Sequence, residues 1–389
     1  MRARSTAQVR RGNVCASIPI PLLSRQSPIH LAGGIPMKKL VFSACALTLT
    51  CGTAVANNSD WDQLDNDVQA LSANLQDMEG SSMTIGGRIR TAYANNSDAD
   101  LGGFQLYNAR LFATGTTAAG VGYRLENDFA TGNLLDAYID VAAGDTLDIR
   151  IGQFRGYVLA ESQIDSGNLF FIDRSVNAAA FAGRQQGLAL SGDMDAFNWA
   201  ITVQDGSDGD TDELFYALHA GMDFMGEGTS MVEGAYGAGD DMSASAGISF
   251  YDDGAAADGG GFAIEAGVQS SQFSLSANMV SRDDSGVGSN FDFNDPHVML
   301  GNADYTAAAI AGDNTPWSLT GTFALNESWE LGLRYQDLDD AASTDVMDIG
   351  ANYYVDGHAM KYIINWTSVG SDSASGDTDL IRIGVNAAF

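Results

Sequence analysis

From Met83 onward, hydrophobic and polar residues trade places at nearly every step. Met83, Ile85, Gly87, Ile89, Thr91 and Tyr93 point one way, and Thr84, Gly86, Arg88, Arg90 and Ala92 the other. A period of two predicts a β-strand with two unlike faces. The alternation returns in the runs 121–129, 135–141, 147–151, 197–203, 262–268, 273–279, 317–325 and 329–335. Short turns such as Asn326-Glu327 and longer acidic connections such as Asp205–Asp212 separate them. Short connections alternating with long ones are what a transmembrane β-barrel shows. Residues 82–389 leave about 19 residues per strand and connection for 16 strands, which suits tilted membrane spans of about ten residues. The expected count lies between 16 and 18, because 154–186 and 283–312 show no clear alternation.

A different period precedes the strands. Trp61, Leu64, Val68, Leu71, Leu75 and Met78 are spaced 3, 4, 3, 4 and 3 apart, with Asp62, Asp65, Asp67 and Asp77 off the seam. That predicts a short helix over 57–81, either packed on its own domain or joined in a trimerising coiled coil. Gly80-Ser81-Ser82 ends it. Further upstream, Met37-Lys38-Lys39, the apolar stretch Leu40–Leu49 and Ala54-Val55-Ala56 compose a secretory signal peptide over 37–56. Its apolar run is too short to span a membrane as a helix. Residues 1–36 carry five arginines and no acid ahead of that complete signal. They read as an upstream mis-start or an extended n-region.

A large soluble β-sandwich would also alternate, and two features favour the membrane. Aromatic residues (Tyr93, Phe129, Trp317, Trp329, Tyr335) stand at the ends of the apolar stripes, where interfacial girdles lie. The chain then ends on Ile381, Ile383, Val385, Ala387 and Phe389, an alternating strand closed by an exposed aromatic. The expected fold is all-β: a transmembrane antiparallel β-barrel of about 16 strands over 82–389, preceded by a short coiled-coil helix. Its surroundings are outer-membrane lipid.

Charge narrows the function. All three cysteines and seven bases lie in residues 1–56, so the exported remainder has 12 bases against 50 acids, a net charge of −38, and no disulfide. Nucleic acid is excluded as a partner, since it requires a basic footprint. Three histidines without cysteine offer no zinc spacing, and the aspartates of 205–212 miss the spacing of a calcium loop. No Gly-x-Ser-x-Gly turn suggests a hydrolase. No cofactor, metal or enzymatic activity is expected.

The chemistry of a pore lies in the side chains that face its lumen. Arg88, Arg90, Arg110, Arg124, Arg150, Arg334, Lys361 and Arg382 all fall opposite the apolar stripe of their strand. Eight of the 12 bases lie in residues 88–184. The candidate lining and constriction residues are Arg88, Arg90, Arg110, Arg124, Glu126, Asp128, Asp136, Arg150, Arg155, Asp173, Arg174 and Arg184. An arginine ladder would suit phosphate, because guanidinium meets an oxyanion with paired donors. Arginine–carboxylate pairs that brace the wall are the alternative. Residues 154–182, with Phe170-Phe171 and Asp173-Arg174, form a connection able to fold inward as the constriction or to lie outside as a lid.

Several short motifs occur in order: Asn108-Ala109-Arg110-Leu111, Tyr123-Arg124-Leu125-Glu126, Asp136-Ala137-Tyr138, Gly152-Gln153-Phe154-Arg155, Asp173-Arg174-Ser175 and Arg184-Gln185-Gln186-Gly187. This succession resembles the phosphate-selective porin O and P family. The resemblance implies a 16-stranded homotrimeric porin of the outer membrane, with an N-terminal periplasmic coiled coil and basic residues guiding anions to an inward loop. By position, Arg155 and Arg174 match the family's basic residues there. The chain departs from the family at Gly156-Tyr157-Val158 and in having Lys361 as its one lysine after residue 56. The expected function is passive diffusion of small hydrophilic solutes or ions, phosphate or other anions among the candidates, and the net charge favours weak selectivity of cationic sense. A plugged structural or adhesive barrel is the alternative.

Overall fold

The computed structural model describes residues 81–96, 101–144, 146–205, 214–252, 260–282, 313–372 and 377–389. Residues 1–36, the signal peptide over 37–56 and the helix over 57–81 lie outside these, apart from Ser81, as do most of the acidic connections 205–212 and 283–312. Among the described residues, sixteen strands follow one another. They are β1 (Ser82–Asn96), β2 (Leu101–Thr116), β3 (Gly122–Asp128), β4 (Asn133–Ala142), β5 (Asp148–Phe154) and β6 (Gln185–Met194). Next come β7 (Phe197–Asp205), β8 (Leu214–Met225), β9 (Ser243–Asp252), β10 (Gly261–Gln269) and β11 (Phe273–Arg282). The last are β12 (Trp317–Ala324), β13 (Trp329–Asp337), β14 (Asp345–Asp356), β15 (Met360–Gly370) and β16 (Thr378–Ala388).

Each strand pairs with its sequence neighbours, and β1 pairs antiparallel with β16, so the sheet closes into a barrel. Closure satisfies the edge hydrogen bonds that an apolar solvent would leave unmet. At the seam, Gly87 N–H donates to Phe389 O at 2.9 Å and Phe389 N–H donates back to Gly87 O at 3.0 Å. The terminal aromatic is thus part of the lock.

The period of two decides which face is wet. Arg382 is fully buried while its neighbour Ile383 is 55 % exposed on the outside. Arg88, Arg90, Arg110, Arg334 and Lys361 are buried too, whereas Ile85, Ile89, Leu333 and Tyr362 stand outward. An arginine forced onto the lipid side would cost about 2–4 kcal/mol at mid-membrane. Outward aromatic pairs, Trp317 with Tyr335 (5.5 Å between rings) and Trp329 with Tyr353 (5.0 Å), stand at strand ends.

At the rim that carries the barrel's two ends, most connections are turns of two to five residues. One is not: residues 226–242 between β8 and β9 number 17. From the opposite rim, residues 155–184 between β5 and β6 contain α1 (Ala160–Gln163), a 3-10 turn (Ser166–Asn168) and α2 (Val176–Ala180). Ser175 caps α2 by accepting from Ala178 N–H at 3.2 Å, which satisfies an otherwise orphaned donor.

Candidate pore and its constriction

Residues 155–184 bond to the inner faces of strands all round the barrel. Ser166 Oγ donates to Asn108 on β2, Ala160 N–H donates to Glu265 on β10, and Val176 N–H donates to Gln336 on β13. Ile172 N–H donates to Asn365 on β15 at 3.2 Å, and Asn352 on β14 donates to Phe170 O at 2.9 Å. Phe170 and Phe171 are fully buried against each other. Glycine makes their seat. A Cβ at Gly332 would stand 2.4 Å from the Phe170 ring, and one at Gly350 within 2.9 Å of it. Val158, Leu159, Ala180 and Phe181 pack on inward apolar positions of β8–β11, among them Phe215, Tyr251 and Val280.

The arginines meet this loop and one another's carboxylate partners. Arg88 pairs with Asp165, and Arg90 donates to the carbonyls of Phe171 and Ile172. Arg110 binds Asp128 at 2.9 Å and Glu126 at 3.3 Å. Arg124 bridges Glu126 and Asp136, and Arg184 reaches the same Asp136 at 3.2 Å. Arg150 pairs with Asp140 at 2.7 Å and lies 4.0 Å over the Tyr138 ring. Arg155 donates to Ser162 O and Ile164 O, and Arg174 to Glu161 O and Ile164 O. Asp173 pairs with Arg382 across the barrel, and its carbonyl accepts from Arg334 at 3.0 Å. All twelve candidates are therefore gathered on the inner side, mostly as partners to one another or to the loop.

Open space lies elsewhere. A cavity of about 470 Å³ runs between residues 157–164, residues 227–234 and the inner wall of β6–β11. The described residues lining it include six carboxylates (Glu161, Asp193, Asp223, Glu227, Glu233, Glu265) and no arginine or lysine. His219, with Nδ1 2.9 Å from Ser249 Oγ, and Trp199 complete its chemistry. Sequence reading did not single out these carboxylates. Glu265 was legible, since it alternates with the apolar run 262–268; Glu233 was not, because 226–242 has no period and five of its glycines adopt positive φ.

Comparison with known proteins agrees with this architecture. The family described as "Phosphate-selective porin O and P" matches residues 84–254. No curated protein is detectably similar in sequence. Among solved structures, an anion-selective porin from Comamonas acidovorans is similar at TM-score 0.54 and 14 % identity, covering 79 % of this chain and all of that one. A loop-deletion form of OmpT from Vibrio cholerae gives 0.56 and 11 %, covering 80 % and 100 %. OprB from Pseudomonas putida gives 0.55 and 10 %, covering 83 % and 97 %. At such identities these structures establish the fold alone. The family match covers β1–β9, under half of the chain, and the described residues close as the sixteen-strand barrel of the outer-membrane porins to which they are similar.

Proposed function

We propose that this porin passes small hydrophilic solutes and ions by passive diffusion, with a weak preference for cations. The observation that supports the preference is the cavity beside β6–β11, lined by six carboxylates without a described arginine or lysine. A low-dielectric wall carrying one sign of charge concentrates ions of the other sign. The candidates Arg88, Arg90, Arg110, Arg124, Arg150, Arg155, Arg174 and Arg184, with Glu126, Asp128, Asp136 and Asp173, then serve as the brace that holds the constriction loop rather than as a path for anions. Residues 37–56 direct export, residues 82–389 form the barrel, and the helix over 57–81 joins three copies in a homotrimer, as the family resemblance implies.

A second reading, an anion path, has one observation in its favour. Eight arginines meet only five paired carboxylates on the β1–β5 side, and Arg155 Nε has no hydrogen-bond partner. The family description and the anion-selective relative point the same way. Planar-bilayer recording decides. Stable ohmic steps and a cationic zero-current potential in a KCl gradient are expected. A strongly anionic potential, abolished by Arg155→Ala or Arg174→Ala, would establish the anion path instead, and silence at high protein concentration would indicate a plugged barrel.

A further inference from the structure

The 17 residues between β8 and β9 do not behave as a turn. Gln269 on β10 holds the near part, accepting from Ser230 N–H at 2.8 Å and donating to Val232 O at 2.8 Å. Further on, Ala235 N–H donates to Thr322 on β12 and Glu330 on β13, at 2.9 and 2.6 Å. The Tyr236 ring stacks on Tyr354 of β14, 3.7 Å between centroids and 8° apart, and His358 Nε2 lies 2.9 Å from Tyr236 O. The segment thus crosses from β8 to the β14–β15 turn as a strap.

The strap also meets the constriction loop. The Glu233 carboxylate accepts from the amides of Phe170 (2.8 Å) and Phe171 (3.3 Å) and lies 3.4 Å from Arg334. Glu233 N–H in turn donates to Asn168 O, and Asn168 to Met231 O. Two segments entering from opposite rims are joined at one buried carboxylate.

We infer that residues 226–242 are a second constriction element, which closes the β12–β15 side of the lumen and confines solutes to the carboxylate-lined side. The inference rests on the pore reading above. With the strap in place, Arg334 and Lys361 lie beneath Glu233, the loop and His358. Without it, the route widens toward a wall where Arg334, Lys361 and Arg382 stand against Glu330, Asp348 and Asp173. The strap's own Glu227 and Glu233 lie beside the present route, so shortening the strap also removes negative charge from it.

The test is a full-length chain in which residues 227–240 are replaced by a short Gly-containing turn, recorded beside the wild type. Conductance is expected to rise by about twofold or more as the lumen widens, and the zero-current potential to move toward anions. Unchanged conductance in a folded, heat-modifiable barrel overturns the inference, as does wider conductance with an unmoved or more cationic potential. If the shortened chain fails to fold, Tyr236→Ala with Glu233→Gln decides in its place, releasing the far end and the central junction. A smaller rise of the same kind supports the strap, and none overturns it. A silent wild type beside a silent variant defeats the pore reading itself, which is a separate result.

Discussion

The β1–β5 side of the lumen and the β6–β11 side are built from opposite charges and treated in opposite ways. On the first, guanidinium groups are stacked close together, yet they pair with Asp165, Glu126, Asp128, Asp136 and Asp140 or donate to loop carbonyls. On the second, six carboxylates line open space, of which Glu233 pairs with Arg334 from the far wall and Glu161 and Glu265 accept from neutral amide donors. On the function proposed above, the charge inventory of a lumen does not by itself set its selectivity. What counts is which charges still face water once the inward segments have taken their partners.

If that contrast is right, breaking the arginine side costs stability. Asp173→Asn should be the most damaging single change, because it strips the buried Arg382 of its carboxylate partner. Breaking a buried pair from one side costs about 3–5 kcal/mol, and Arg382 is fully buried. Urea titration of barrel folding into lipid vesicles reads the loss. A cost under 1 kcal/mol would mean that water reaches the pair, and that this side is open.

Neutralising the other side should act chiefly on ions. Glu161→Gln with Glu265→Gln keeps side-chain size; the amide oxygens can still accept from Asn278 and Ala160 N–H, while Ser175 N–H loses its acceptor on Glu161. The expected result is a zero-current potential shifted toward anions, with a stability loss of about 1–3 kcal/mol from that one donor, below the cost of Asp173→Asn. A potential that stays put would place the conducting route elsewhere. The two experiments together cross the contrast: one moves stability, the other chiefly selectivity.

Much of this was legible beforehand, and the reason is geometrical. Parity along a strand assigns Arg334 inward and Leu333 outward without any knowledge of the fold, since a barrel has only two faces. Chain length bounded the strand number at 16 to 18, and the alternation ending on Phe389 marked the last strand. Pairing across the lumen follows no such rule. Glu233 and Arg334 are 101 positions apart in sequence, and nothing periodic links them. The expected inward behaviour of 154–182 could be suspected from its length and its Phe170-Phe171, but the shorter, glycine-rich 226–242 carried no apolar signature to distinguish it from a solvated connection.

Acidity offers a gentler way to sharpen the comparison. Burial pushes the Glu233 carboxyl up from the ordinary 4.5 to about 7, against the opposing pull of Arg334 and the Phe170 and Phe171 amides, with Glu161 adding to the rise. Lys361 and Arg174 also lie close enough to feel it. The folded barrel therefore binds a proton there that the unfolded chain does not, between about pH 7 and 4.5. Its ionisation is unfavourable to folding above that window, and the penalty fades as pH falls through it. In the folded barrel one negative charge is lost from the junction as pH falls through about 7. Cation preference should decline modestly from pH 8 to pH 6, and Glu233→Gln should flatten that part of the profile. A wild-type and a Glu233→Gln curve that coincide would show that the junction carries no charge the ions can sense.

The smallest effect belongs to Arg150, and its smallness is informative. Its pair with Asp140 is partly open to water, at 24 % and 37 % side-chain exposure, unlike the sealed Arg382. Exposed pairs of this kind contribute about 0–1 kcal/mol, to which the contact with the Tyr138 ring adds about 0.5–1 kcal/mol. Arg150→Gln should therefore lower stability by no more than about 2 kcal/mol. It should also leave the zero-current potential unchanged, because the guanidinium is already neutralised by Asp140 and lies on the braced side. This arginine is among the most water-accessible of the bank. A clear cationic shift on its removal would mean that anions do travel along β1–β5, and the distinction between a braced wall and a conducting wall would have to be reversed.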